Sequence, residues 1–120
     1  MNTKTQTIRS LNDRFRQAIP SASDVPGRVV VTQGIQALCD TEAEPALYLG
    51  DLFKLIREFD DFDADNDPHG EHDFGAFDFR GEKCFWKIDY YAPDLQWGAE
   101  DPSDHAKTMR VLTVMLASEH

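Results

Sequence analysis

The chain has 120 residues, 41% of them hydrophobic, with a formal net charge of -10 at pH 7. That length suits one domain with a real core, and the apolar content excludes a disordered chain. The acidic balance excludes broad binding to nucleic-acid phosphates and favours basic partners. The charge is uneven: residues 1–19 hold Lys4, Arg9, Arg14 and Arg16 against Asp13 alone, so the remainder carries all of the acidic excess.

Thr3 to Ile19 places Ile8, Leu11, Phe15, Ala18 and Ile19 on one helical stripe, giving a basic N-terminal helix that Pro20 stops. Ser21 to Gly27 reads as a linker. Arg28 to Thr32 contains Val29, Val30 and Val31, the pattern of a short buried strand. Gly34 to Leu38 has room for one helical turn. Pro45 to Phe59 is the second helix, with Leu49, Leu52, Phe53, Ile56 and Phe59 on its stripe.

Phe74 to Tyr91 reads as a β-hairpin. The tetrad Arg80-Gly81-Glu82-Lys83 suits a type II′ turn with glycine first, which pairs Phe79 with Cys84, Phe77 with Trp86 and Gly75 with Ile88. Phe77 and Trp86 then share the core face, while Lys87, Asp89 and Tyr91 share the other. In the following loop, Trp97 is either a lid over the core or part of an exposed patch. Met109 to Ala117 is apolar on both alternations and reads as a central strand, with a short buried helix as the rival. The expected fold is a single α+β domain over residues 1–120. Its small antiparallel sheet, a three-stranded C-terminal meander plus the early strand, packs against two helices.

Four blocks, I-R-S-L-N-D-R-F-R (8–16), N-D-P-H-G-E-H-D-F-G-A-F (66–77), F-W-K-I-D-Y-Y (85–91) and T-M-R-V-L-T-V-M-L-A-S-E-H (108–120), run through most of the chain. With them the chain resembles a bacterial family of short proteins catalogued as a domain of unknown function. The resemblance implies a single bacterial cytosolic domain and carries over no catalytic residues.

The chemistry concentrates between Phe59 and Gly75. Asp60, Asp61, Asp63, Asp65, Asp67, Glu71 and Asp73 lie there with His69 and His72 and no lysine or arginine. An EF-hand is excluded: starting at Asp61, the sixth position is Asn66 rather than glycine and the twelfth is His72 rather than glutamate. Glu71, His72 and Asp73 are metal ligands by type, but Pro68 and Gly70 forbid a helical H-x-x-H, so no metal or other cofactor is expected. Turn wiring competes with function here, with Asp67 capping the turn, Glu71 and His72 satisfying backbone amides, and Asp89 pairing with Lys87 or an arginine. Cys39 and Cys84 match no zinc spacing and read as buried thiols in a reducing cytoplasm. No run is apolar enough to span a bilayer.

Two functions follow as expectations. The first is a non-catalytic protein whose seven carboxylates bind a basic protein surface, with no direct nucleic-acid or membrane binding. In its specific form it mimics nucleic acid and inhibits a host nuclease or a CRISPR or restriction system. The alternative is a small metal-dependent hydrolase using Glu71, His72 and Asp73.

Overall fold

The computed structural model describes residues 2–120. The α-helices and strands are α1 (Thr3–Ala18), β1 (Gly27–Val31), α2 (Gln33–Asp40), α3 (Pro45–Arg57), β2 (Phe74–Phe79), β3 (Glu82–Tyr91) and β4 (Met109–Leu116), with short 3-10 turns at His105–Lys107 and Ala117–Glu119. The strands form one mixed sheet in the order β1-β4-β3-β2. β4 runs antiparallel to β3 and parallel to β1. The α+β class and the C-terminal meander stand as expected, and Met109–Leu116 is a central strand.

All three helices lie on one face of the sheet. Leu11, Phe15 and Ile19 from the first, Ile35 and Cys39 from the second, and Tyr48, Leu52 and Ile56 from the third enclose Trp86, Ile88, Leu112 and Val114. The opposite face carries the Lys87–Asp89 ion pair at 3.0 Å. One end of that face is covered by the C-terminal turn, where Phe85 meets His120 edge-to-face at 5.1 Å.

Three expectations need correction. Three helices cover the sheet rather than two, because Gln33–Asp40 completes a helix capped from outside itself. The Thr32 hydroxyl accepts from Ile35 N–H, and the Glu119 carboxylate accepts from Gly34 N–H at 3.0 Å and from the Thr32 hydroxyl at 2.6 Å. Thr32 is a local cap signal, but the second acceptor comes from 85 residues away, where no local pattern announces it.

The triple-valine strand is an edge, not a buried strand: Val30 is exposed, only β4 pairs with β1, and that pairing is parallel, so the sheet is mixed rather than antiparallel. The hairpin turn is Arg80-Gly81, not Gly81-Glu82. Both residues have positive φ, 50° and 85°, as a type I′ turn demands. Phe77 therefore faces Cys84, and Gly75 faces Trp86. The pairing moves by two residues, so face assignments survive and Phe77 and Trp86 remain on the same surface. From this left-handed position the Arg80 side chain folds back toward α3. It donates to Asp51 at 2.8 Å, lies 3.7 Å from Glu42, and covers the Tyr48 ring at 4.9 Å.

Candidate functional site

The acidic segment leaves α3 at Arg57 and crosses the N-terminal helix before entering β2. Its first half points outward. Asp60, Asp61, Asp63 and Asp65 are exposed, and none forms an ion pair among the described residues. The bend is nevertheless ordered by its own side chains. Asp63 Oδ1 accepts from the backbone N–H of Asp65 and Asn66, and the Asn66 amide donates to Asp61 C=O at 2.7 Å. These are Asx-type turns, in which a short polar side chain replaces a backbone partner.

The second half points inward. Asp67 has only 6% of its side chain exposed. It accepts from His72 N–H at 3.1 Å, closing the turn that Pro68 and Gly70 shape. Gly70 and His72 both take positive φ, 71° and 54°. This reversal brings the imidazole back under the segment. His72 Nδ1 lies 2.9 Å from Asp13 Oδ1 on α1, its Nε2 lies 3.7 Å from Asp67, and its ring stacks on Phe62 at 3.7 Å. Both ring nitrogens thus face carboxylates.

Behind the histidine lies a buried polar seam that sequence reasoning missed. Asn12, fully buried on α1, donates to Glu71 C=O at 2.9 Å and to the Tyr90 hydroxyl at 2.8 Å. Its carbonyl accepts from Arg110 Nε at 2.7 Å. Tyr90 in turn donates to Glu71 Oε1 at 2.9 Å. One amide thereby joins α1, the acidic segment, β3 and β4, with both of its donors and its acceptor in use. Burial pushes the Tyr90 phenol well above its ordinary range, despite the Asn12 bond, so Tyr90 stays neutral and donates. Burial also lowers the Arg110 guanidinium, which neighbouring Tyr90 and Glu71 oppose.

Arg16 is the second buried cation. It donates to the C-terminal carbonyls of α3, Ile56 at 2.8 Å and Arg57 at 3.1 Å, and to Asp13 at 3.1 Å. A cation at a helix C-terminus meets the negative end of its dipole. The guanidinium also lies over Trp86 at 5.3 Å and Phe62 at 5.5 Å. A signal for both residues was present: Asn12 and Arg16, spaced i and i+4, interrupt the apolar stripe of Ile8, Leu11, Phe15 and Ile19. Polar side chains on a core-facing stripe announce a buried network.

The seven carboxylates therefore do not converge. Glu71 turns to Tyr90 and His72 to Asp13. Burial, followed by the proximity of Glu71, raises the Asp73 carboxyl above its usual range. Among the described residues no group of three or more histidine, cysteine, aspartate or glutamate side chains is placed to hold a metal ion. Of the expected turn wiring, the Asp67 cap and the Lys87–Asp89 pair are present, whereas the Glu71 and His72 side chains meet Tyr90 and Asp13 rather than backbone amides. Cys39 and Cys84 are free and buried, and burial pushes the Cys84 thiol up to about 11. Among the described residues, no helix is long and apolar enough to cross a membrane.

Fold and site together define a small α+β domain with a one-sided sheet and an acidic segment clamped across its N-terminal helix. The chain belongs to the family described as protein of unknown function (DUF3768), which matches residues 31–119. The matched residues contain the acidic segment, Tyr90 and Arg110, while Asn12, Asp13 and Arg16 lie before them. No curated protein and no solved structure matches the chain.

Proposed function

We propose that this is a non-catalytic interaction protein that presents the outward half of its acidic segment to a basic protein surface. The observation that carries the reading is the exposure of Asp60, Asp61, Asp63 and Asp65 without an ion-pair partner among the described residues. Asp67 and Glu71 through their carboxylates, and Asp73 through its backbone carbonyl, serve this surface by holding its base in place. Four carboxylates on a bend ordered by Asx turns lose little entropy on meeting cations, and such contacts accelerate encounter as well as stabilising the complex. Its specific form is nucleic-acid mimicry, in which the bend enters a groove that otherwise receives phosphates and inhibits a nuclease. The free, buried thiols support a reducing cytoplasmic setting.

Affinity capture with wild-type protein and the D61N/D63N/D65N variant tests this directly. Asparagine retains the Asp63 turn acceptor while removing charge. The expected result is a basic partner that wild type retains, that salt releases, and that the variant fails to hold. Capture indifferent to both salt and substitution contradicts the reading.

A further inference from the structure

A second surface feature lies in the loop between β3 and β4. Trp97 is 72% exposed, more than any other large apolar residue described. Its loop is braced rather than loose. Ala92 N–H donates to Trp97 C=O at 2.7 Å, Ala99 N–H donates to Tyr90 C=O at 3.2 Å, and Tyr91 and Gly98 form an isolated antiparallel bridge. The far wall is tied to the core, where buried Arg110 donates to Pro102 C=O at 2.7 Å and Thr108 donates to Asp101 C=O at 3.1 Å.

Between these walls is a cavity of about 470 Å³, within the range of small-ligand sites. Trp97 and Pro93 supply its apolar side, Glu100, Asp101 and Asp104 supply three carboxylates, and Lys107 is the only cation in the lining. Much of the acceptor capacity is unused. Asp101 receives Ser103 and Lys4 through Oδ1, and Asp104 receives Ala106 N–H through Oδ1. Neither Oδ2 has a partner among the described residues, nor does the Glu100 carboxylate. An anion would be repelled here, and an uncharged apolar ligand would strip water from carboxylates without replacing it. A planar cation satisfies both walls by stacking on the indole and donating to the carboxylates.

The cavity lies beside the acidic segment. Lys4 reaches Asp101 at 3.4 Å, and its neighbours Asn2 and Thr5 share a depression with Ala64 and Asp67 of the acidic segment. Cavity and bend therefore flank the same end of α1. We propose that the Trp97 cavity receives an arginine side chain of the basic partner, anchoring a surface whose remaining charge lies against the bend. The partner's character rests on the reading above, whereas the cavity's preference for guanidinium can be tested alone.

The test is a titration of the whole ¹⁵N-labelled protein with N-acetyl-arginine amide, following the indole N–H resonance of Trp97, assigned with W97F. The N-acetyl amides of lysine and norleucine serve as the ammonium and neutral probes. The expected result is a saturable shift with arginine amide, weaker binding of lysine amide and no saturable shift with norleucine amide. Affinity should fall about fivefold in E100Q and rise in K107Q, as removal of an attractive and of a repulsive charge requires. D61N/D63N/D65N should leave the shift unchanged, so failure of the bend as a partner surface does not remove this signal. No saturable shift in wild type, or equal binding of the neutral probe, overturns the site. Lysine amide binding as tightly as arginine amide overturns the assignment to guanidinium, and indifference to both E100Q and K107Q overturns the role of charge.

Discussion

Asp65 and Asp67 stand two residues apart on one segment, yet their surroundings share almost nothing. Asp65 is exposed and its carboxylate touches no cation among the described residues, whereas Asp67 is buried and closes the turn onto His72. The same division holds for the whole segment. The carboxylates of Asp60, Asp61, Asp63 and Asp65 meet no cation among the described residues, and only that of Asp63 accepts hydrogen bonds, from the N–H groups of Asp65 and Asn66. Asp67 to Asp73 are tied to Asp13 and Asn12 on α1 and to Tyr90 and Ile88 on β3. Composition alone does not set the role of a carboxylate. What sets it is whether the fold delivers a donor to it.

The largest expected effect comes from removing the amide that joins the inner half to the sheet. Asn12→Ala leaves Arg110 Nε and Glu71 C=O without their partner and deprives Tyr90 of a donor. It should cost on the order of 3–5 kcal/mol in urea unfolding, comparable to breaking a buried charged network. A loss below about 1 kcal/mol would mean that water replaces Asn12 and that the seam is not a clamp.

Gly75 ends the inner half as it enters β2. A Cβ there would collide with the Trp86 indole nitrogen and would lie 2.8 Å from the Phe59 ring. Gly75→Ala should therefore destabilise by about 1–3 kcal/mol through overpacking, read from the thermal midpoint. The effect sharpens the comparison, because Gly81, in the outward hairpin turn, has nothing near its missing Cβ and is required only by its backbone angle.

Asp73 gives a smaller effect with a definite sign. Its folded carboxyl is raised, first by burial and then by Glu71, so the folded state holds a proton that the unfolded state has already released. Below the unfolded value of about 4 both states are protonated and the group costs nothing. As pH rises from there through the folded value, wild type loses stability relative to Asp73→Asn, and above that window the penalty is complete. Glu119 has the opposite sign. Bonds from Thr32, and then from Leu116 N–H, lower its carboxyl, so its contribution is present at neutral pH and is lost on acidification through that lowered value. The difference in unfolding midpoint between wild type and Asp73→Asn, followed across pH, should open only above the unfolded value. A constant difference would place the effect in packing rather than charge.

Much of the architecture was legible because local pattern and tertiary burial agree. Ile8, Leu11, Phe15 and Ile19 are buried as their helical spacing requires, and the alternation of Cys84, Trp86 and Ile88 marks the core face of β3. The turn register was misread because Gly81 occupies the second position of a type I′ turn, while Arg80 takes a positive φ that its own sequence does not advertise. Residue type showed that the acidic segment was special but not that it divides at Asp67. The division depends on Asn12, Asp13 and Tyr90, which approach from elements 19 to 59 residues away. The exposed Trp97 was open to either reading, since nothing local decides whether a loop folds over the core or away from it.

The division of the segment is tested most directly by one paired measurement, urea unfolding of Asp65→Ala beside Asp67→Ala. Asp65→Ala should leave stability within about 0.5 kcal/mol of wild type, as an exposed group without partners does. Asp67→Ala should lose about 1–3 kcal/mol, the cost of leaving His72 N–H and the turn without their acceptor. Equal losses at the two positions, or the larger loss at Asp65, would contradict the account.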